Sequence, residues 1–572
     1  MNNRSGISTF ILFGLLLAVI LLQVLSMVQS DRLYERLNKL IDMKSVTVSE
    51  KASTDTQAAS GQNGDWLVSN LQGEPRTLNL LSVDSDLYSN SIVMRNIQET
   101  LFYYDPDYDG VKLKPVLAEG MTTSEDGLAI TVKLKEKIWF SDGVPITADD
   151  VIFTYNTIMD PGVDAEDLRG YYANIKDVVK VDDRTVKFVM NEVYWKTAES
   201  IGVFEVFPKH IYQYKDASEF NNRRSNPVGS GPYIFEKWDV GQQIVLRRNE
   251  NYWGTKPAID KLVYKFITNS TAAFQSLRSH DLDYYEPSSE QFAEISQDEA
   301  FKKEFNVLSY WEPSHGYSFI GWNQAREYFK DKRVRLALTS AFDRDSVAKH
   351  IGKGYSKVVS GPFYLYGKQN DPDVTPWPYD PDKARKLLDE AGWVDTNKNG
   401  IRDKNGIELR FKLSYGSGNT TSEQIIKNFK DAAAKVGIEI TPDPIEWSIF
   451  IDNLNNRNFD AVMLSWGGTI ESDPYQIFHS SQIAGKGNNF ISFSNKEADT
   501  LMDKARRTLD PEKRYELYHQ FHKILHEEQP YTFLLSRPTF VFLDKRFENV
   551  KTHALGLESY EWYVPKDKQR YK

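Results

Sequence analysis

Three histidines, His519, His522 and His526, fall on one helical face at i, i+3 and i+7, a spacing that can bring imidazoles to a single metal ion. His526-Glu527-Glu528-Gln529-Pro530 lacks the second histidine of a zinc-protease helix, and the chain has no cysteine. The expectation is therefore a solvated histidine-bearing helix without metal. A second group, Asp395-Thr396-Asn397-Lys398-Asn399-Gly400, matches the first half of a calcium loop, with Asp403 in ninth position. Gly406 stands where the bidentate glutamate belongs, so tight turns at Asn399-Gly400 and Asn405-Gly406 are the plainer reading, beside a weak Ca²⁺ site. There is no Gly-x-Ser-x-Gly elbow and no phosphate-binding loop, and nothing singles out a glycosidase pair among the many carboxylates. No catalytic constellation is singled out, and no cofactor is expected.

Composition narrows the partners. Lys and Arg number 70 against 80 Asp and Glu, giving a net charge of −10, and the basic residues are scattered. That argues against nucleic acid, which needs a concentrated basic surface. Aromatic residues make up 13% of the chain, enough to furnish a ligand pocket as well as cores. At 572 residues, two or three domains are expected.

Attachment to a membrane falls to the N-terminus, since no cysteine is present to carry a lipid. Ile7 to Val28 is uncharged and almost wholly apolar, with Arg4 before it. At about 1.5 Å per residue this stretch spans a bilayer core of about 30 Å. Its length favours an uncleaved anchor over a signal peptide, although Val28 and Ser30 also fit a cleavage site. Leu33, Leu37, Leu40 and Ile41 keep helical spacing, and a Ser-, Thr-, Ala- and Gly-rich spacer runs to Asp65.

Beyond Trp66 the elements alternate. Ile130 to Leu134 reads as a half-buried strand, and Val178 to Val189 as two strands around Asp182-Asp183. Thr147 with Asp150 opens one helix, and Asp380-Pro381 opens another that Gly392 stops.

The segment Ala118 to Tyr155 (AEGMTTSEDGLAITVKLKEKIWFSDGVPITADDVIFTY) closely resembles the signature of family 5 of the bacterial extracellular solute-binding proteins, the dipeptide and oligopeptide receptors. Pro227 to Tyr233 (PVGSGPY), Arg248 to Trp253 (RNENYW), Arg333 to Asp345, Tyr379 to Trp393 and Phe459 to Trp466 are similar to further landmarks, in family order. The resemblance implies an α/β fold, a two-lobed periplasmic-binding-protein clamp of type II, cluster C-like, with an extra inserted domain. The implied organisation is 1–30 as membrane anchor or uncleaved signal and 31–65 as helical stalk and spacer. Residues 66–103, 201–322 and 537–572 would form lobe I, 104–200 the inserted domain and 323–536 lobe II.

The same resemblance implies site residues. Oligopeptide receptors of the family place two pocket tryptophans 19 residues apart, the separation of Trp447 and Trp466. After Trp466, Gly467 and Gly468 lack side chains, which lets a peptide backbone lie along the chain and exchange main-chain hydrogen bonds. The family's amine-binding Asp falls on Thr469, so Asp473 is the substitute, with a helix N-cap before Pro474 as its alternative role. Asp84 falls where an acidic pocket residue stands in oligopeptide receptors.

The expected protein is thus a monomeric, non-enzymatic, extracytoplasmic receptor held to the cytoplasmic membrane by its N-terminal helix. It would bind peptides and deliver them to the permease subunits of an ABC transporter. A nickel chelate, heme or oligosaccharide on the same scaffold, a tethered sensor ectodomain and a hydrolase are the other readings.

Overall fold

The computed structural model describes residues 63–107, 111–484 and 487–571. The anchor and stalk expected before them lie outside the described residues. Asp65, expected as the end of the spacer, is buried and paired with Arg546 at 2.9 Å.

A seven-stranded mixed sheet gathers distant parts of the chain. Its strand order is Phe305–Tyr310, Thr539–Asp544, Tyr284–Tyr285, Trp66–Leu71, Lys261–Phe266, Gln243–Arg248 and Tyr233–Asp239. Both faces are covered, and the strands show it: Leu67, Leu262 and Leu543 enter one core while their neighbours Val68, Val263 and Phe542 enter another. Such strands read as continuous apolar runs, because neither face meets water. Arg546, itself buried, bonds Asp65 and Asp283 and so ties the strand Trp66–Leu71 to the C-terminal one.

The second sheet has five strands, in the order Glu439–Ile445, Arg410–Gly416, Ala461–Trp466, Tyr317–Trp322 and Tyr531–Phe533. Ile320, Trp322, Leu413 and Met463 face the core that holds Lys332–Ser340, Pro381–Glu390 and Thr420–Ala434. Tyr317, Phe319 and Phe533 face the helices Lys496–Arg507 and Pro511–Glu528. The chain passes between the two large sheets twice, from Tyr310 to Tyr317 and from Phe533 to Thr539. The first passage lies earlier than the boundary at 322, since Tyr317–Trp322 pairs wholly within the second sheet.

A four-stranded antiparallel sheet, Ala118–Thr123, Ala129–Leu134, Thr185–Met190 and Ile175–Asp182, occupies the segment expected as an insertion. Its apolar residues share one continuous core with the seven-stranded sheet. The helix Ala148–Met159 opens where Asp150 accepts the Thr147 amide at 2.9 Å, and Pro381–Glu390 opens where Asp380 accepts from Lys383 N at 2.8 Å. The landmark Arg248 to Trp253 serves the fold, because the Tyr252 hydroxyl and Trp253 indole donate to Glu99 at 2.5 and 3.0 Å. Burial outweighs those donors and pushes the Glu99 carboxyl up to about 7.

The calcium-like segment is a hairpin. Asp403–Lys404 pairs with Ile407–Glu408 through Asn405-Gly406, both at positive φ. Asp395 accepts the amides of Asn399 and Gly400, and Asp403 that of Thr396, so the acids hold the turn itself.

The histidine helix departs from the expectation of a solvated face. His522 is fully buried, accepting the Asp371 amide at 3.2 Å, and burial pushes its pKa down to about 4. His526 stacks on Trp377 at 4.6 Å, and His519 bonds the Lys368 carbonyl at 2.9 Å. Each imidazole has its own protein partner, and they do not converge on one point.

Candidate functional site

The strand Ala461–Trp466 leads directly into the space beside the passages between sheets. By alternation Met463, Ser465, Gly467 and Thr469 share one face of the run; Met463 is buried in the core, and the next three are exposed as the run leaves it. The first passage packs against this run. Pro313–His315 forms one turn of 3₁₀ helix, and Gly468 N donates to the Ser314 carbonyl at 3.1 Å. A Cβ on Gly316 would lie 1.9 Å from the Trp466 carbonyl, and one on Gly468 would lie 2.1 Å from that of Pro313. Glycine at both positions allows the two backbones to touch.

Two cavities lie nearby, one lined by Ile470 and Glu471 just beyond this run and the other by Ser465 within it. One, of about 430 Å³, lies between Trp195, Glu199, Tyr366, Glu471, Arg514 and Tyr515. The other, of about 520 Å³, is lined by Glu286, His315, Met463, Ser465, Ser536 and Arg537 among others. Trp466 is half-buried, stacked between Phe319 and Phe490 at 6.3 and 6.0 Å, with its indole donating to the Tyr531 hydroxyl at 3.4 Å. Trp447 begins the helix Trp447–Asn455, packs on Phe450 at 5.7 Å and is 54% exposed. Both indoles border the cluster of Phe450, Phe459, Val462 and Phe490, and neither lines the two cavities.

The carboxylates after Gly468 are engaged with the protein's own cations. Asp473 pairs with Arg506 at 3.1 Å, accepts the Tyr194 hydroxyl at 2.7 Å and takes the Tyr475 amide at 3.1 Å, one residue before Pro474, which is the N-cap of the short helix Tyr475–Phe478. Burial opposes the Arg506 charge, yet Asp473 beside it holds its pKa above the ordinary value. Glu471 is likewise held, by Arg514 at 3.0 Å and the Tyr515 hydroxyl at 2.5 Å. Asp84 lies apart from both cavities, with Arg224 at 3.1 Å and Arg76 at 3.9 Å.

A group that spacing did not reveal sits opposite this loop. Tyr194, Trp195 and Lys196 follow the four-stranded sheet and dock on the second large sheet's helices. Trp195 N donates to the Arg506 carbonyl at 2.9 Å and its indole to the Tyr518 hydroxyl at 3.2 Å. Arg514 lies over the Trp195 ring at 4.2 Å, and Lys196 reaches the Glu471 carbonyl at 2.8 Å. The aromatic pair Tyr194-Trp195 was the only local signal, and its partners stand some 280 to 320 residues away.

The chain is similar to known proteins over nearly all the described length. A model of the bacterial extracellular solute-binding proteins, family 5 middle region, matches residues 112–489. The oligopeptide-binding protein AppA of Bacillus subtilis is 33% identical over 518 residues, covering 88% of this chain and 92% of that protein. The solved structure of that protein with a nonapeptide superposes with a TM-score of 0.78 at 32% identity, over 88% of this chain and all of the other. NikZ of Campylobacter jejuni, solved with Ni(L-His), gives a TM-score of 0.75 at 26% identity, over 87% of this chain and 99% of the other. The chain belongs to the bacterial extracellular solute-binding proteins of family 5.

Proposed function

We propose that this protein is the extracytoplasmic receptor of an ABC importer and that it takes peptides between two lobes and presents them to the permease subunits. The observation that carries the reading is the exposure of Ser465, Gly467 and Thr469 on one side of the run that lies at the passages between the large sheets. An extended peptide placed there meets exposed main chain, which reads backbone and not side-chain sequence. The likeness to an oligopeptide-binding protein, over 92% of that protein's length, supports peptides as the ligand.

In this reading lobe I comprises 66–103, 201–310 and 539–572, lobe II comprises 317–536, and 104–200 is an insertion. Residues 311–316 and 537–538 are the hinges about which the lobes close. Trp447, Trp466, Gly467 and Gly468 form the ligand-facing wall. Asp473 and Asp84 serve structure, given their arginine partners. The family consists of receptors, and the reading gives this chain no catalytic role. It acts as a monomer, held to the outer face of the cytoplasmic membrane by Ile7–Val28.

Mass spectrometry of material released from the purified full chain tests this. Short peptides are expected. An oligosaccharide or a metal chelate in their place contradicts the reading, and peptides that shorten on incubation contradict the non-enzymatic role.

A further inference from the structure

The bonds that cross from the inserted segment to the second lobe are of one kind. The Tyr194 hydroxyl donates to Asp473 at 2.7 Å, the Trp195 indole to the Tyr518 hydroxyl at 3.2 Å, and Lys196 to the Glu471 carbonyl at 2.8 Å. Arg506 and Arg514 lie over the Tyr194 and Trp195 rings at 4.5 and 4.2 Å. None of these partners belongs to either passage between the large sheets.

The ion pairs, by contrast, are made within one side. Asp473 has Arg506 at 3.1 Å and Glu471 has Arg514 at 3.0 Å, all four in the segment 317–536. Lys196 has Glu199 at 2.9 Å, both in the inserted segment. Parting the two sides would leave each carboxylate with its cation. Water would receive only neutral donors, ring faces and one ammonium that keeps its partner. An ion pair that does cross, Glu192 with Arg507 at 3.1 Å, is exposed on both partners and costs little to break.

Where distant parts of the chain are joined permanently the pattern is the opposite. Buried Arg546 bonds Asp65 and Asp283 at 2.9 and 2.8 Å, and parting those would leave buried charges bare. The 430 Å³ cavity beside Trp195 also shows that the crossing at 194–196 is not packed as a core, where voids of that size are rare. Tyr355 packs across the lobes too, on Phe292 and Phe540 at 5.3 and 5.1 Å, but Phe540 adjoins the second passage, where a rotation displaces little.

We propose that residues 192–196 are a reversible latch. They hold the lobes shut with bonds that water can replace, and so set how much of the ligand-free protein is closed and how long a bound ligand stays. This rests on the two-lobe reading with hinges at 311–316 and 537–538, and it requires no particular ligand.

The test is a distance measurement between two spin labels on the ligand-stripped full chain in detergent. The chain has no cysteine, so labels at Asp183→Cys and Lys386→Cys, exposed positions on the inserted segment and the second lobe, are specific. Tyr194→Phe/Trp195→Phe removes two crossing hydrogen bonds and should raise the ratio of long to short distances about tenfold. The same pair should speed release of a bound fluorescent peptide by about the same factor, with association changed less than about twofold. Tyr194→Phe alone, which removes one hydroxyl, should raise the ratio about threefold and carries the test if the double variant does not fold. A distance distribution that the variants share with the wild type, or one shifted to shorter distances, overturns the proposal. A wild type and variants that differ as expected, with no shortening on addition of a peptide pool, would uphold the latch and contradict the peptide reading.

Discussion

The Tyr194 hydroxyl donates to the Asp473 carboxylate at 2.7 Å, and Arg506 grips the same carboxylate at 3.1 Å. One aspartate thereby joins the end of the four-stranded-sheet region to the loop after Trp466 and to the helix Lys496–Arg507. Asp473→Asn leaves the partly buried Arg506 without its counter-charge. We expect a loss of about 2 kcal/mol in chemical denaturation, and about 1 kcal/mol for Tyr194→Phe. Faster amide exchange over residues 192–199 should accompany both. An unchanged exchange pattern would show that this junction does not fasten the two parts.

The same occupancy bears on ligand choice. Glu471 and Asp473 are held by Arg514 and Arg506, so neither carboxylate is available to a ligand's α-ammonium group. Acetylating the N-terminus of a bound peptide should change its Kd by less than about threefold. A loss of tenfold or more in calorimetry would mean that an amine-binding carboxylate exists after all.

The two tryptophans should separate by experiment. Trp466 is stacked between Phe319 and Phe490, so Trp466→Ala should cost about 3 kcal/mol of stability. Trp447, at 54% exposure, should cost less than about 1 kcal/mol when truncated, while its loss weakens peptide binding about tenfold. Equal stability losses would place both in the core.

Acid sensitivity should have an identifiable component. The His522 pKa is pushed down to about 4 by burial, so between pH 6.5 and 4 the unfolded chain binds a proton that the folded chain does not. Stability from this residue is therefore intact above pH 6.5 and falls as the pH drops towards 4, by up to about 3 kcal/mol. His522→Gln should show a shallower fall in melting temperature across that window. Parallel curves for variant and wild type would remove His522 as the cause.

Much of the fold could be read from the chain because its signals are local. Thr147 with Asp150 and Asp380 with Pro381 mark helix starts through bonds spanning three residues, and the structure makes those bonds. The hairpin at Asn405-Gly406 is equally local. What could not be read depends on distant partners. Asp473 looked available because Arg506 and Tyr194 lie 33 and 279 residues away. His522 looked solvated because helical spacing says which residues share a face and not what covers it; here Ser360 and Asp371 do.

Peptide capture is the central claim, and quenching of tryptophan fluorescence in the ligand-stripped full chain tests it most directly. Titration with a mixed pool of four- to nine-residue peptides, about the lengths an open main-chain run can hold, should give saturable quenching with a Kd at or below about 1 μM. Nickel–histidine, heme and oligosaccharide titrations should give none at the same concentrations. Saturation by one of these three with no response to the peptides would contradict the account.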